Sequence, residues 1–221
     1  MLNHLLAVCR FGLVHLLKDA VWMVRRSIDF RSRQETTKVC HAVLEDPAFF
    51  RFLLRIDEEF AAKTRRGACP HCGAALHSAR YPRKPRGCPA SVLEEYSWRF
   101  SFTCGRCNAR ATPPSVRFLG RRVYVAVALM LFSPPGNARG RELCELLSIS
   151  VRTVKRWRTW WLEEFPYTPF WRSVRERFMP PVTIARLPQS LMERFEARAP
   201  ADWLPPLLCF IAPLSTRAAT N

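Results

Sequence analysis

Beyond Asp46 the apolar positions recur at helical spacing, with Phe49, Leu53, Ile56 and Phe60 on one stripe. Asp46-Pro47 reads as an N-cap followed by proline at the first helical position, so a helix starts here with its stripe against a neighbouring element. Further along the period changes. Trp98, Phe100 and Phe102 alternate with Arg99, Ser101 and Thr103, which predicts a half-buried strand. The longest strongly apolar run, Val123 to Phe132, has ten residues. It predicts a buried helix over Arg122 to Phe132 that Ser133-Pro134-Pro135-Gly136 halts. A membrane span needs ~18 or more such residues, so no membrane partner is expected.

A third pattern lies between Arg141 and Trp157. Leu143, Leu147, Ile149, Val154 and Trp157 are placed to pack two helices crossing at a steep angle, Cys144 is small where they approach, and Ser150 can cap the second helix. Ser148 occupies the turn site where glycine is commoner. This is a helix-turn-helix pattern. Glu163-Glu164-Phe165-Pro166 closes the unit, and short helices are expected around Pro169 to Met179 and Pro188 to Arg198. Trp203, Leu204, Leu207, Leu208, Phe210 and Ile211 make the tail apolar enough to cap a core or to join two copies in a homo-oligomer.

Composition changes the picture in one direction. Across 221 residues, 35 Lys+Arg against 18 Asp+Glu give a formal charge of +17, which calls for a polyanionic partner, with nucleic acid favoured over an acidic membrane surface. From Lys63 to Arg122 there are 13 basic residues against Glu94 and Glu95 alone, so much of the excess falls on one stretch. Nine cysteines cannot all pair, and Arg10, Lys18 and Asp19 interrupt the apolar N-terminal stretch without a small-residue cleavage site, so a reducing cytoplasm is expected.

That basic stretch also holds two Cys-x-x-Cys pairs, Cys69-Pro70-His71-Cys72 and Cys104-Gly105-Arg106-Cys107. Each pair can grip a metal from a tight turn, and two pairs complete a closed tetrahedral shell, which suits a structural zinc site and leaves no open position for catalysis. The 31 residues between Cys72 and Cys104 exceed the compact spacing of such motifs, but each doubling of a loop costs only about 0.6 kcal/mol. The same thiolates could hold iron, and four unmetallated thiols are the bland alternative. Cys88, His71 and His77 are read as bystanders, and Cys9, Cys40, Cys144 and Cys209 as small apolar side chains.

On the second helix of the helix-turn-helix pattern, Arg152 and Arg156 near its N-terminal end suit base contacts in the major groove. Thr153, Lys155 and Arg158 suit phosphate contacts. The bland alternative is a basic helical hairpin with a solvated charged face.

Over Cys69 to Trp161 the order of parts resembles the N-terminal half of zinc-ribbon transposases from bacterial insertion sequences. The carrying residues are Cys69-Pro70-His71-Cys72-Gly73, the aromatic strand into Cys104-Gly105-Arg106-Cys107, Arg110-Ala111-Thr112, the apolar helix and the Leu143 to Trp157 hairpin. The resemblance implies recognition of transposon-end double-stranded DNA by ribbon and helix-turn-helix together. It also implies a following nuclease-like domain with three acidic residues that bind two divalent metals. Here 59 residues follow Leu162, with Asp202, Glu163, Glu164, Glu176, Glu193 and Glu196 among proline breaks, so no catalysis is expected within this chain.

The expected architecture is α+β, mostly α: an amphipathic leader over 1–40, a helical segment over 41–63, a zinc ribbon over 64–120, a three-helix helix-turn-helix unit over 121–165, and short helices with a proline-rich tail over 166–221. The expected function is zinc-stabilised, sequence-specific DNA binding, as a transposase accessory or a transposase lacking its catalytic domain. A transcriptional regulator, a non-catalytic subunit completing a separate nuclease or transposase, and an RNA-binding scaffold are the alternatives.

Overall fold

The computed structural model describes residues 43, 45–85, 87–119, 122–123, 144–145, 149–195 and 200–216. The leader over 1–40, most of the expected Arg122 to Phe132 helix, and Leu143, Leu146, Leu147 and Ser148 of the hairpin lie outside them. Among the described residues the architecture is α+β, mostly helical, with small antiparallel sheets.

Helix α1 (Pro47–Arg66) begins where its sequence signal places it: Asp46 is extended and its carboxylate accepts a 2.8 Å bond from the Ala48 amide. Lys63, Arg65 and Arg66 in the last turn complement the negative end of the helix dipole. Phe49, Leu53 and Ile56 are buried and Phe60 packs beside them, so the stripe is core.

The strands follow in short pieces. A three-stranded antiparallel sheet has β4 (Phe102–Cys104) between β1 (Leu76–Ser78) and β5 (Arg110–Ala111). A two-stranded pair joins β2 (Tyr81–Pro82) to β3 (Trp98–Arg99), with a one-turn helix α2 (Leu93–Tyr96) between them in sequence. The continuous strand expected from Trp98 therefore breaks at Phe100-Ser101, and its inward and outward positions are reversed at the start. Trp98 is 48% exposed whereas Arg99 is 2% exposed. A buried guanidinium needs acceptors. Arg99 Nη2 donates to the Ser215 carbonyl at 2.7 Å and faces the Pro113 carbonyl at 3.4 Å, and this anchorage turns β3 over.

A second correction concerns the apolar helix. Its first two positions, Arg122–Val123, form strand β7, paired with β6 (Phe118–Leu119) in the register Phe118↔Val123 and Leu119↔Arg122. Buried Phe118 anchors the pair, which the long apolar run obscured.

Beyond Ser150 the chain is helical in short elements. Helix α3 (Val151–Thr159) passes into a π-helical turn over Trp160–Glu164, and α4 (Pro169–Val174), α5 (Gln189–Met192) and α6 (Pro200–Ile211) follow. One apolar cluster draws on α1, Val92 and Tyr96, Val116 and Phe118, and then on 149–214. Aromatic rings carry it: Trp161 and Phe165 are 4.6 Å apart, Phe165 and Trp171 5.0 Å, Trp171 and Phe178 5.8 Å, and Phe178 and Phe210 5.6 Å. Trp203, Leu204, Leu207, Leu208 and Ile211 are all buried in this cluster, so the apolar tail is core and not a free surface. A smaller cluster of Ala61, Cys69, Leu76, Phe102 and Cys104 lies under the cysteine pairs.

A buried polar network ties the sheets to the helices. The Asp57 carboxylate on α1 accepts from Arg117 Nε at 2.8 Å, from the Ser115 hydroxyl at 2.6 Å and from the Val116 amide at 2.7 Å. Arg117 also donates to the Glu95 carbonyl at 3.1 Å, and its guanidinium sits 4.9 Å from the Phe118 ring centroid and 5.0 Å from that of Tyr96. The Ser115 amide reaches Ser215 Oγ at 2.9 Å, which brings the segment after α6 into the same network.

Candidate metal centre and nucleic-acid interface

The two cysteine pairs are built to one pattern. In the first turn the Cys69 amide donates to the Ala74 carbonyl at 2.9 Å and the Gly73 amide to the Cys69 carbonyl at 2.8 Å. The second repeats it: Cys104 N to Ala109 O at 2.9 Å and Asn108 N to Cys104 O at 3.1 Å. The residue after each pair turns the chain with positive φ, 70° at Gly73 and 56° at Asn108, a conformation glycine and asparagine tolerate best. Asn108 was invisible as a site residue in the sequence, although its place one step beyond the second cysteine mirrors Gly73.

This geometry gathers four sulfurs. The Sγ atoms of Cys69, Cys72, Cys104 and Cys107 all lie within 4.8 Å of one another. Cys69 and Cys107 are 3.6 Å apart, Cys72 and Cys104 3.4 Å, and Cys72 and Cys107 3.6 Å. A tetrahedral metal with ~2.3 Å bonds to thiolate places sulfurs about 3.8 Å apart, so the four residues fit a metal ion. His71, His77 and Cys88 are not among the atoms that gather there. Cys88 packs on the main core, where burial pushes its thiol up to about 11.

Electrostatics separates the four. The amides of Cys107 and Arg106, at 3.4 Å and 3.3 Å from Cys104 Sγ, hold that thiol down to about 6. Cys72 is pushed up to about 12; a backbone bond at Ala74 lowers it, but the Cys104 sulfur and burial outweigh that bond. Four adjacent sulfurs cannot all carry negative charge without a cation to offset their repulsion. A Cβ at Gly105 would lie 2.7 Å from His77 Nε2, so the exposed imidazole would have to swing aside to admit a side chain there.

The expected DNA-contact residues lie together on α3. Ser150 caps the helix as expected, accepting from the Thr153 amide at 3.3 Å. Thr153 is half-buried with its hydroxyl 3.0 Å from Ser150 Oγ, so it belongs to the cap. Arg152, Lys155 and Arg156, at i, i+3 and i+4, are exposed along one face. Val154 and Trp157 pack against the core on the other, and Arg158 is half-buried. Before the helix, Cys144–Glu145 is helical and the Ile149 amide donates to the Cys144 carbonyl at 2.8 Å, closing the connection into α3.

Comparison of the chain with protein-family models, with curated proteins and with solved structures gives no match.

Proposed function

We propose that the protein binds double-stranded DNA sequence-specifically through α3, and that the four cysteines hold one structural zinc ion. The observation that carries the reading is the exposed Arg152, Lys155 and Arg156 face on a capped helix whose opposite face is packed. A helix held from behind can present its N-terminal side chains to the major groove, where Arg152 and Arg156 would read bases while Lys155 and Arg158 meet phosphates. The formal charge of +17 supports the same partner. An all-sulfur tetrahedral set favours zinc by ligand chemistry, and zinc there would supply folding energy to the small sheet and no reaction.

The order of cysteine turns, strands and basic helix supports a transposon-associated role, with cutting and joining of DNA left to another subunit. Selection of bound sequences from a random duplex pool tests the reading. A defined motif that Arg156→Ala blurs at one position is expected; recovery of unselected sequences would sink the sequence-specific claim.

A further inference from the structure

The three-stranded sheet has one buried and one open face. Leu76, Phe102 and Cys104 point into the smaller core, while the register places Thr103 between His77 on β1 and Arg110 on β5, a row that faces outward. His77 and Arg110 are exposed and Thr103 is half-buried. The row ends at an aromatic ring. The guanidinium of Arg110 lies 5.7 Å from the Tyr81 ring centroid, and that of Arg83 lies 4.6 Å from the same ring, with Nη2 donating to the Tyr81 hydroxyl at 2.9 Å. Beside them Arg80 lies 5.0 Å from the ring centroid of Phe100.

These arginines are gathered without carboxylates among the described residues. Among the described residues the ion pairs are Arg51–Glu95, Asp57–Arg117 and Arg186–Glu193, so Arg80, Arg83 and Arg110 have none. Arg83 and Arg110 share the Tyr81 ring, where their like charges repel. The Tyr81 ring offsets part of that cost by cation–π attraction and fixes the guanidiniums in position; Arg83 is half-buried with its Nε enclosed, whereas Arg110 is exposed and presents its N–H groups to a planar acceptor. Phosphate oxygens along a nucleic-acid strand are such acceptors.

We propose that Arg83 and Arg110, held on Tyr81 at the outer edge of the cysteine-bearing sheet, form a second phosphate-binding surface that grips the backbone of duplex DNA. It rests on the reading that duplex DNA is the partner, but it is independent of α3 as the element that reads sequence. The two surfaces divide the work: phosphates at the sheet add affinity for any sequence, and α3 adds discrimination.

The test measures the dissociation constant of the full chain for a random-sequence duplex, and for the enriched duplex, over a range of salt concentrations. Arg83→Gln with Arg110→Gln should lower the slope of log K against log salt by roughly 1.8, the release expected for two phosphates at about 0.9 each. It should weaken both duplexes by the same factor. Metal content and melting temperature equal to those of the parent establish that the variant folds, and Arg83→Lys with Arg110→Lys should restore most of the slope. An unchanged slope in a folded Gln variant overturns the proposal. So does a loss confined to a single-stranded oligonucleotide of the same composition. Arg152→Gln with Arg156→Gln separates the two readings: if it leaves discrimination intact while the sheet variant still lowers the slope, the α3 assignment falls and the sheet surface stands.

Discussion

Arg117 and Asp57 form an ion pair at 2.8 Å in which the side chains are 1% and 2% exposed, and the arginine lies between the rings of Phe118 and Tyr96. The carboxylate is on α1, whereas Arg117 leads into β6 and its guanidinium reaches back to the carbonyls of Glu95 in α2 and Trp98 in β3. One pair thus fixes a helix, a hairpin and the approach to β3.

Removing one partner leaves a charge buried with no counterpart. Arg117→Ala should destabilise the protein by about 3–5 kcal/mol, read as a fall in the urea midpoint. Asp57→Leu with Arg117→Met removes both charges and should recover part of the loss. If the double variant is less stable than Arg117→Ala, the pair contributes more than a charge in need of neutralising.

The proposed metal centre predicts a stoichiometry and a pH sign. Purified protein should carry one zinc ion per chain, and Cys104→Ser should lose it together with the strand signal of the sheet. Metal binding requires deprotonated thiols, so affinity is highest at neutral to alkaline pH and falls as acid protonates them. Metal content measured after dialysis at descending pH should show that loss on the acid side. Retention of the ion in Cys104→Ser would transfer the site elsewhere.

At α3 the cap can be separated from the proposed DNA contacts. Ser150→Ala removes the acceptor for the Thr153 amide and should cost ~1 kcal/mol of stability. Base preference should survive in the DNA that still binds. Lys155→Gln should do the reverse: stability unchanged, affinity lowered alike on all sequences, and the salt slope reduced by roughly 0.9. A change of sequence preference in Lys155→Gln would make it a base contact.

The tail carries its own prediction. Leu208 is 1% exposed within the main cluster, and Leu208→Ala should cost about 2–5 kcal/mol by transfer and cavity terms. Were the tail a contact between two copies, the loss would depend on protein concentration. Melting temperatures measured over a hundredfold dilution distinguish the two, and no dependence is expected.

Much of this was legible where the signal was local. Asp46-Pro47 marked the start of α1 and Ser150 the start of α3, because caps act within one turn. The four cysteines were legible because metal-ligand spacing is a property of the chain itself. What failed was set by distant partners. Trp98 looked inward by alternation, but the Ser215 carbonyl, 116 residues away, draws Arg99 inward in its place. Arg122 and Val123 read as helix from a run of apolar residues, whereas their pairing depends on buried Phe118. Asp57 gave no sign at all: the first acid of the run Asp57-Glu58-Glu59 in the middle of α1 looks like surface until Ser115, Val116 and Arg117 are brought to it.

The bond between Arg99 and Ser215 also sets a timetable for synthesis. As the chain leaves the ribosome, both cysteine turns and the whole sheet emerge long before residue 215, and metal can close the sheet at that stage. Its guanidinium then faces the core without the Ser215 carbonyl, and Ser115 without the Ser215 hydroxyl that receives its amide. Asp57 and Arg117 can join α1 to the hairpin early, whereas the two bonds to Ser215 form only when the segment after α6 folds back. Until then the buried Arg99 guanidinium and the Ser115 amide lack the acceptors that the C-terminal segment brings to them.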